Sequence, residues 1–207
     1  MNKKLLSILL ILTMVVFIFT GCGKKDSGGD TSLEGTWRIT KTIETEKEFR
    51  DGIEVDSKIE TIDYPFTEKD EDSGLAMIFQ LYYQLKNNKL AQIAKVNVEG
   101  IPDETLDEIR KGYPIIDNLI KGLFVKSEAI YSVSGDKLIF TFDEEGKEYT
   151  DEYTYNIKGK NMVMICKEVY DPWEDGSYYY ESEDIINLVK VSDSEVASEK
   201  YYDESDL

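Results

Sequence analysis

Tyr131-Ser-Val133-Ser-Gly135-Asp136-Lys-Leu138-Ile139-Phe140 aligns with Tyr155-Asn-Ile157-Lys-Gly159-Lys160-Asn-Met162-Val163-Met164 at an offset of 24 residues. Each copy alternates apolar and polar residues, breaks at two residues led by glycine, and alternates again: strand, tight turn, strand. A type II′ turn needs a positive φ at its first central position, which glycine supplies without strain, and Gly135 and Gly159 both stand there. Two-residue loops fix register. Val133 should therefore oppose Leu138, Tyr131 oppose Phe140, Ile157 oppose Met162, Tyr155 oppose Met164 and Tyr153 oppose Cys166. All these positions are apolar or aromatic and share one face of their hairpins. With Glu145-Gly146 turning between the hairpins and Pro172–Gly176 leading into Ser177–Val191, residues 126–191 read as a five-strand antiparallel meander.

Two regions of different period precede the meander. From Leu33 to Phe66, Trp37, Ile39 and Ile43 alternate with Arg38, Thr40, Thr42 and Glu44, and Ile53, Val55, Ile59 and Ile62 form a second alternating run, so strands are expected. Residues 67–72, TEKDED, read as a charged loop. From Ser73 to Phe124 the spacing turns helical. Leu75, Ile78, Tyr82 and Leu85 make one apolar stripe after a Ser73 N-cap, continued by Leu90, Ile93 and Ala94. Pro102 with Asp103 and Glu104 suits a second helix start, and Leu106, Ile109, Ile115, Ile116, Leu119, Ile120 and Leu123 supply further apolar faces. Two or three helices are predicted over about 73–124. Residues 192–207 carry six acids and read as a solvated, disordered tail.

The N-terminus has the parts of a secretory signal: Lys3-Lys4, an apolar run from Leu5 to Thr20, and Gly21 before Cys22. Phe19-Thr20-Gly21-Cys22 resembles the lipobox of bacterial lipoproteins. That resemblance implies cleavage after residue 21, diacylation of the Cys22 thiol, and a lipid-held, extracytoplasmic protein at the cell membrane. An uncleaved anchor is the alternative, although its 16 apolar-run residues fall short of the ~20 that span a bilayer. Residues 22–32 then form the anchor and a Gly-rich tether. Only Cys166 remains as a thiol, so no internal disulfide can hold the fold and a packed core must.

Removing residues 1–21 leaves 22 basic against 42 acidic residues, a net −20. Such a surface repels a phosphate backbone, so nucleic acid is not expected as a partner. The chain has no histidine. That removes Ser-His-Asp and Cys-His nucleophile systems, His metal sites and the usual neutral-pH base. Neither a phosphate loop, a dinucleotide fingerprint nor a Cys metal cluster is present, and no cofactor is expected.

Leu33-Glu34-Gly35-Thr36-Trp37 after a tether, followed by the Tyr-x-Val-x-Gly-Asp-x-Leu meander, resembles the lipocalin-like domains of small bacterial lipoproteins. The resemblance implies an up-and-down barrel over residues 33–191, interrupted by the helical insertion: a mainly β domain, α+β overall. It also implies that Trp37 crosses the closed end with a basic partner from the last strand, where Lys190 is available. A barrel of about eight strands either fills with side chains or holds one small ligand. Trp37, Tyr131, Phe140, Phe142, Tyr149, Tyr153 and Tyr155 are the candidate lining, suited to an apolar or aromatic molecule or an envelope component.

Other constellations are thinner. Extended outward, the hairpin register places Asp151 opposite Glu168, a carboxylate pair that could recruit a cation or serve a hydrolase, or stand solvated at the rim. Asp70–Gly74 and Asp171–Gly176 lack the full spacing of a calcium loop and read as turns. Tyr178-Tyr179-Tyr180 should leave at least one ring in solvent. Three functions stay open: a non-enzymatic ligand-binding barrel, a filled interaction module meeting a basic protein partner, and a carboxylate hydrolase.

Overall fold

A computed structural model describes residues 33–69, 76–101, 122–144, 146–172, 176–198 and 201–202. The described chain is almost entirely antiparallel β: β1 (Gly35–Arg50), β2 (Ile53–Asp63), β3 (Phe66–Lys69), β4 (Ala76–Lys86), β5 (Lys89–Glu99), β6 (Leu123–Ser134), β7 (Lys137–Glu144), β8 (Lys147–Lys158), β9 (Asn161–Tyr170) and β10 (Tyr178–Val191). Neighbours along the sheet run β1-β10-β9-β8-β7-β6-β5-β4, and the pairing of Gly35–Arg38 with Tyr82–Leu85 joins β4 back to β1. Eight strands thus close an up-and-down barrel, the mainly β architecture expected. Closure leaves none of these strands with a full-length open edge.

The two repeated hairpins fold in the register their turns dictate. Val133 faces Leu138, Tyr131 faces Phe140, Ile157 faces Met162 and Tyr155 faces Met164, while the fifth expected pair, Tyr153–Cys166, is not formed because the β8–β9 ladder ends at Thr154 and Ile165. Gly135 and Gly159 each have φ of 64°, and the residue after each stays at negative φ, as a type II′ turn requires.

The helices expected over 73–124 are corrected wherever that segment is described. Residues 76–86 and 89–99 are the strands β4 and β5, joined by Asn87-Asn88 with φ of 52° and 61°, a type I′ pattern. Among the described residues the single helical element is a 3-10 turn, Asp193–Glu195. Residues 73–75 and 102–121 of the proposed insertion lie outside the described residues, as do the signal, Cys22 and the tether. The helical stripe arose because β4 and β5 are apolar on both faces. Met77, Phe79, Tyr83 and Leu85 point into the barrel, while Tyr82, Ala91 and Ile93 pack outside it against Val196 and Tyr201. A strand buried on both sides loses its alternation and can mimic a helix.

The chain after β10 supplies that outer cover, so the tail is seated over much of the part described. Val196 is 1% exposed. Thr36 Oγ1 donates to Asp193 Oδ1 at 2.7 Å, Arg38 pairs with Glu195 at 3.1 Å, and Tyr202 forms a parallel bridge with Val125.

β1 also departs from simple alternation. A bulge between Ile39 and Lys41 reverses its faces, so Trp37 and Ile39 point inward but Thr42 and Glu44 follow them, and Ile43 turns out. Past the bulge β1 leaves β4 and pairs with β2, whose chain continues through a cis Tyr64–Pro65 bond into β3 on β4. Thr67, Glu68 and Lys69, expected in the charged loop, are therefore strand. β2 is a solvated edge, with Ile59 70% exposed.

Candidate binding site in the barrel interior

The interior divides into a filled floor and a polar upper half. At the floor, Leu33, Trp37, Leu85, Leu90, Leu138, Met162 and Leu188 form one buried cluster. Trp37 Nε1 donates to the Leu33 carbonyl at 2.8 Å, and Lys190 Nζ stands 5.2 Å from the Trp37 ring centroid. Lys190 from the last strand thus takes the place of the basic partner. Gly35 permits this approach: its φ is 134°, and a Cβ there would lie 2.7 Å from Lys190 Cε.

The middle layer is aromatic and equally tight. Tyr83 and Phe140 meet edge to face at 5.7 Å, and Phe140 and Tyr153 tilt together at 5.4 Å. Of the expected lining, Trp37, Tyr131, Phe140 and Tyr153 are therefore packed core, Tyr153 only 1% exposed. Phe142, Tyr149 and Tyr155 are half-buried, with Phe142 and Tyr155 resting on the core. The structure brings four of the seven together as a floor and middle layer and leaves the other three at its margins.

Asp151 and Glu168 occupy different surroundings. Asp151 is 2% exposed beside Phe140 on β7, whereas Glu168 is exposed. The β8–β9 ladder reaches Thr154 and Ile165 and stops before the two carboxylates. They do not form the cross-strand pair the register suggested. Among the described residues no group of three His, Cys, Asp or Glu is arranged to hold a metal ion. At Asp171–Gly176 the Gly176 N–H donates to Asp171 Oδ2 at 2.8 Å, closing a turn; Asp70–Gly74 lies outside the described residues. Tyr179 stacks on Phe49 at 4.7 Å and Tyr180 is exposed.

The acidic group that does assemble lies on β10, β1 and β2. Glu44 pairs across the strands with Asp184 on one side and Glu60 on the other, three carboxylates in one row. Burial pushes the Asp184 carboxyl up to about 6, and Glu44, Glu168 and Glu46 add repulsion. Glu44 is raised for the same reasons, burial first and then Glu46 and Glu60, against a smaller pull from Lys58. Cys166 lies next to Asp184 in the row. Burial, then Glu168, Asp151 and Asp184, push its thiol up to about 12.

Across the interior, Tyr83 sits opposite Gln92, and Ser127 Oγ donates to Gln92 Oε1 at 3.2 Å. The Tyr83 hydroxyl and Gln92 Nε2 are both buried and are each other's polar neighbours across β4 and β5, a contact that eases the phenol somewhat. Burial raises the Tyr83 phenol strongly, and the charges of Asp151 and Asp184 raise it further. A hollow of about 420 Å³ lies between β1, β9 and β10, lined by Thr45, Lys47, Lys167, Glu168, Val169, Glu181, Ser182 and Glu183. Lys47 there pairs with Glu54 at 3.0 Å and Lys167 with Glu183, and Glu168 and Glu181 also line it.

Glu44, Asp184, Tyr83 and Gln92 escaped the sequence reading. Tyr83 and Gln92 lay in the segment taken for helix, and Glu44 was placed outside because the β1 bulge is silent in the alternation. No family model matches this chain, and neither curated proteins nor solved structures match it.

Proposed function

We propose that the chain is a lipid-anchored, extracytoplasmic binding protein, held at the membrane through Cys22, that takes a small apolar or ring-bearing molecule or an envelope component at the upper half of its barrel. The observation that carries this reading is the division of the interior. The floor is closed by Trp37 under Lys190, whereas Glu44, Asp184, Phe142 and Tyr149 face the same interior half-buried. A barrel used as scaffold alone would fill throughout with apolar side chains, as the floor does. Binding without catalysis follows from the missing histidine and from a thiol held far above neutral pH.

The test is native mass spectrometry of the full-length chain purified in detergent from its own membrane. A co-purifying mass that leaves on collisional activation is expected; a bare chain at every activation energy refutes the binding reading. Anchoring is tested separately, because Cys22→Ala should move the protein out of the membrane fraction. Its persistence there refutes lipid attachment.

A second reading has its own support. The tight aromatic layer and a net charge of −20 also suit a filled module that meets a basic protein partner. Salt-sensitive capture of a basic envelope protein by a ligand-free chain would favour it.

A further inference from the structure

Beyond the closed barrel the sheet runs on to β2, which among the described residues pairs only with β1. Ten of the eleven residues of Ile53–Asp63 are exposed, Ile53, Val55 and Ile59 with them. Natural sheets shield such an edge by keeping it short, by proline, by lysines or by a covering element. β2 is long, holds no proline and carries a single lysine, Lys58, besides the bulge opposite Glu48 and Phe49. The Ser57 N–H donates to the carboxylate of Asp56 beside it at 2.9 Å, the local bond taken by a backbone donor that is offered no strand.

The acids of β2 do not call for a basic partner. Glu54 is held by Lys47, Glu60 by Lys58 and Asp63 by Lys41, each at 3.0 Å, and Asp56 holds the Ser57 amide. What fits the edge is β2 itself. Run antiparallel to a copy about a two-fold axis at Ser57, it sets Val55 opposite Ile59, Ile53 opposite Thr61 and Asp56 opposite Lys58, each twice. Glu54 then faces Glu60, and both keep their lysines. Other axes match worse: at Asp56 or Lys58 identical charges meet, and at Ile59 Val55 meets Asp63 and Asp56 meets Ile62. The net negative charge of each chain opposes association, but a screening length of ~8 Å at physiological salt confines that repulsion to charges near the seam.

We propose that two copies of this chain join through β2, antiparallel and centred on Ser57, into one sheet continuous from barrel to barrel. The Asp56 carboxylate yields the Ser57 N–H to the Ser57 carbonyl of the second copy and turns to Lys58 across the seam. The pairing is independent of what the barrel holds.

Sedimentation equilibrium of the full-length chain in density-matched detergent tests it, with near-UV circular dichroism verifying the fold of each variant. A concentration-dependent dimer is expected. Ser57→Cys should cross-link two chains under mild oxidation, because residues on the axis of a hydrogen-bonded pair stand ~5.5 Å apart between Cα atoms. Thr61→Cys, ~27 Å from its counterpart along the seam, should link no more than the wild type. Lys58→Asp should weaken the dimer about tenfold, and adding Asp56→Lys, which exchanges the two charges, should restore it. Ser57→Pro removes the central N–H and should leave a monomer; if it does not fold, Ile59→Lys on the exposed surface serves, with a weakening of at least about tenfold expected. A monomer at every concentration up to about 0.1 mM would overturn the proposal. So would a dimer that Ser57→Pro and Lys58→Asp leave unchanged, or cross-linking as strong through residue 61 as through residue 57. A monomer that instead takes up an alternating Lys-Val peptide, and loses it in Ser57→Pro, would assign the edge to a basic strand and overturn the second copy as its occupant.

Discussion

Replacing Asp184 by asparagine should stabilise the protein in mild alkali and do little in acid. The Asp184 carboxyl is raised from 3.8 to about 6, chiefly by burial and then by Glu44, Glu168 and Glu46. Because its folded-state value lies above the unfolded one, its contribution to stability is fully present below about 3.8 and is lost as pH climbs through about 6. At pH 8 the native protein carries that cost in full. Two pKa units correspond to ~3 kcal/mol if undiluted, and solvent screening at a half-buried carboxylate reduces this to roughly 1–2 kcal/mol. Asparagine keeps the shape and removes the charge. For a chain of this size each kcal/mol is ~2–4 °C in Tm, so a rise of roughly 3–6 °C is expected at pH 8, with less than about a third of it remaining at pH 4. Other groups that face Asp184 are Cys166 on β9, Glu46 on β1, and Tyr83, Tyr153 and Asp151 across the interior; all are common to both proteins. Scanning calorimetry of the full-length protein and the variant in detergent at the two pH values decides. A lower Tm for Asp184→Asn at pH 8, or the same gain at both pH values, would refute the electrostatic reasoning.

Other expectations follow from the floor, the outer cover and the thiol. Trp37→Ala empties the base of the barrel and should cost ~3–5 kcal/mol in urea unfolding; a loss under about 1 kcal/mol would mean the floor is not a packed unit. Val196→Asp puts a charge onto Tyr82, Ala91 and Ile93 and should cost ~1–3 kcal/mol, with faster proteolysis after Val191 as the second readout; an unchanged midpoint would show that the tail contributes no cover. Cys166, its thiol pushed up to about 12, should react with a disulfide reagent at pH 8 far more slowly in the native protein than in urea, and speed up only well above pH 9. A native rate equal to the unfolded one would contradict its burial. Replacing Asn87 and Asn88 by alanine strains two left-handed residues and should cost ~1–2 kcal/mol at each.

How much could be read in advance depended on how local the signal was. The Gly135 and Gly159 hairpins were legible because a two-residue turn sets register by itself, and eight side chains pair as that register requires. The β4–β5 hairpin carried an equally local signal in Asn87-Asn88, but the apolar residues around it overrode that signal. Tyr82, Ala91 and Ile93 owe their apolar character to packing outside the barrel, beneath Val196 and Tyr201 more than a hundred positions later. No window of sequence contains that fact. The site failed for a related reason. Glu44 enters the barrel only because the bulge after Ile39 shifts parity by one, and nothing in Thr40 or Lys41 announces a bulge.

The raised carboxyl of Asp184 could also suit a general acid, so the choice between binding and catalysis turns on its neighbours. A hydrolase pair needs two groups whose surroundings push their pKa values apart and whose spacing admits a substrate bond. Asp184 and Glu44 are both pushed upward, each by burial first, Asp184 then by Glu44, Glu168 and Glu46, and Glu44 by Glu46 and Glu60. The nearby nucleophile, Cys166, is held up at about 12 by burial and then by Glu168, Asp151 and Asp184, which is the opposite of activation. Every member of the group therefore shifts in the sense that an incoming cation would reverse. A positive charge between Asp184 and Glu44 would lower both carboxyls and ease the phenol of Tyr83 at once. Were a cation to bind there, the cost that Asp184 imposes would be converted into affinity and into selectivity for charge.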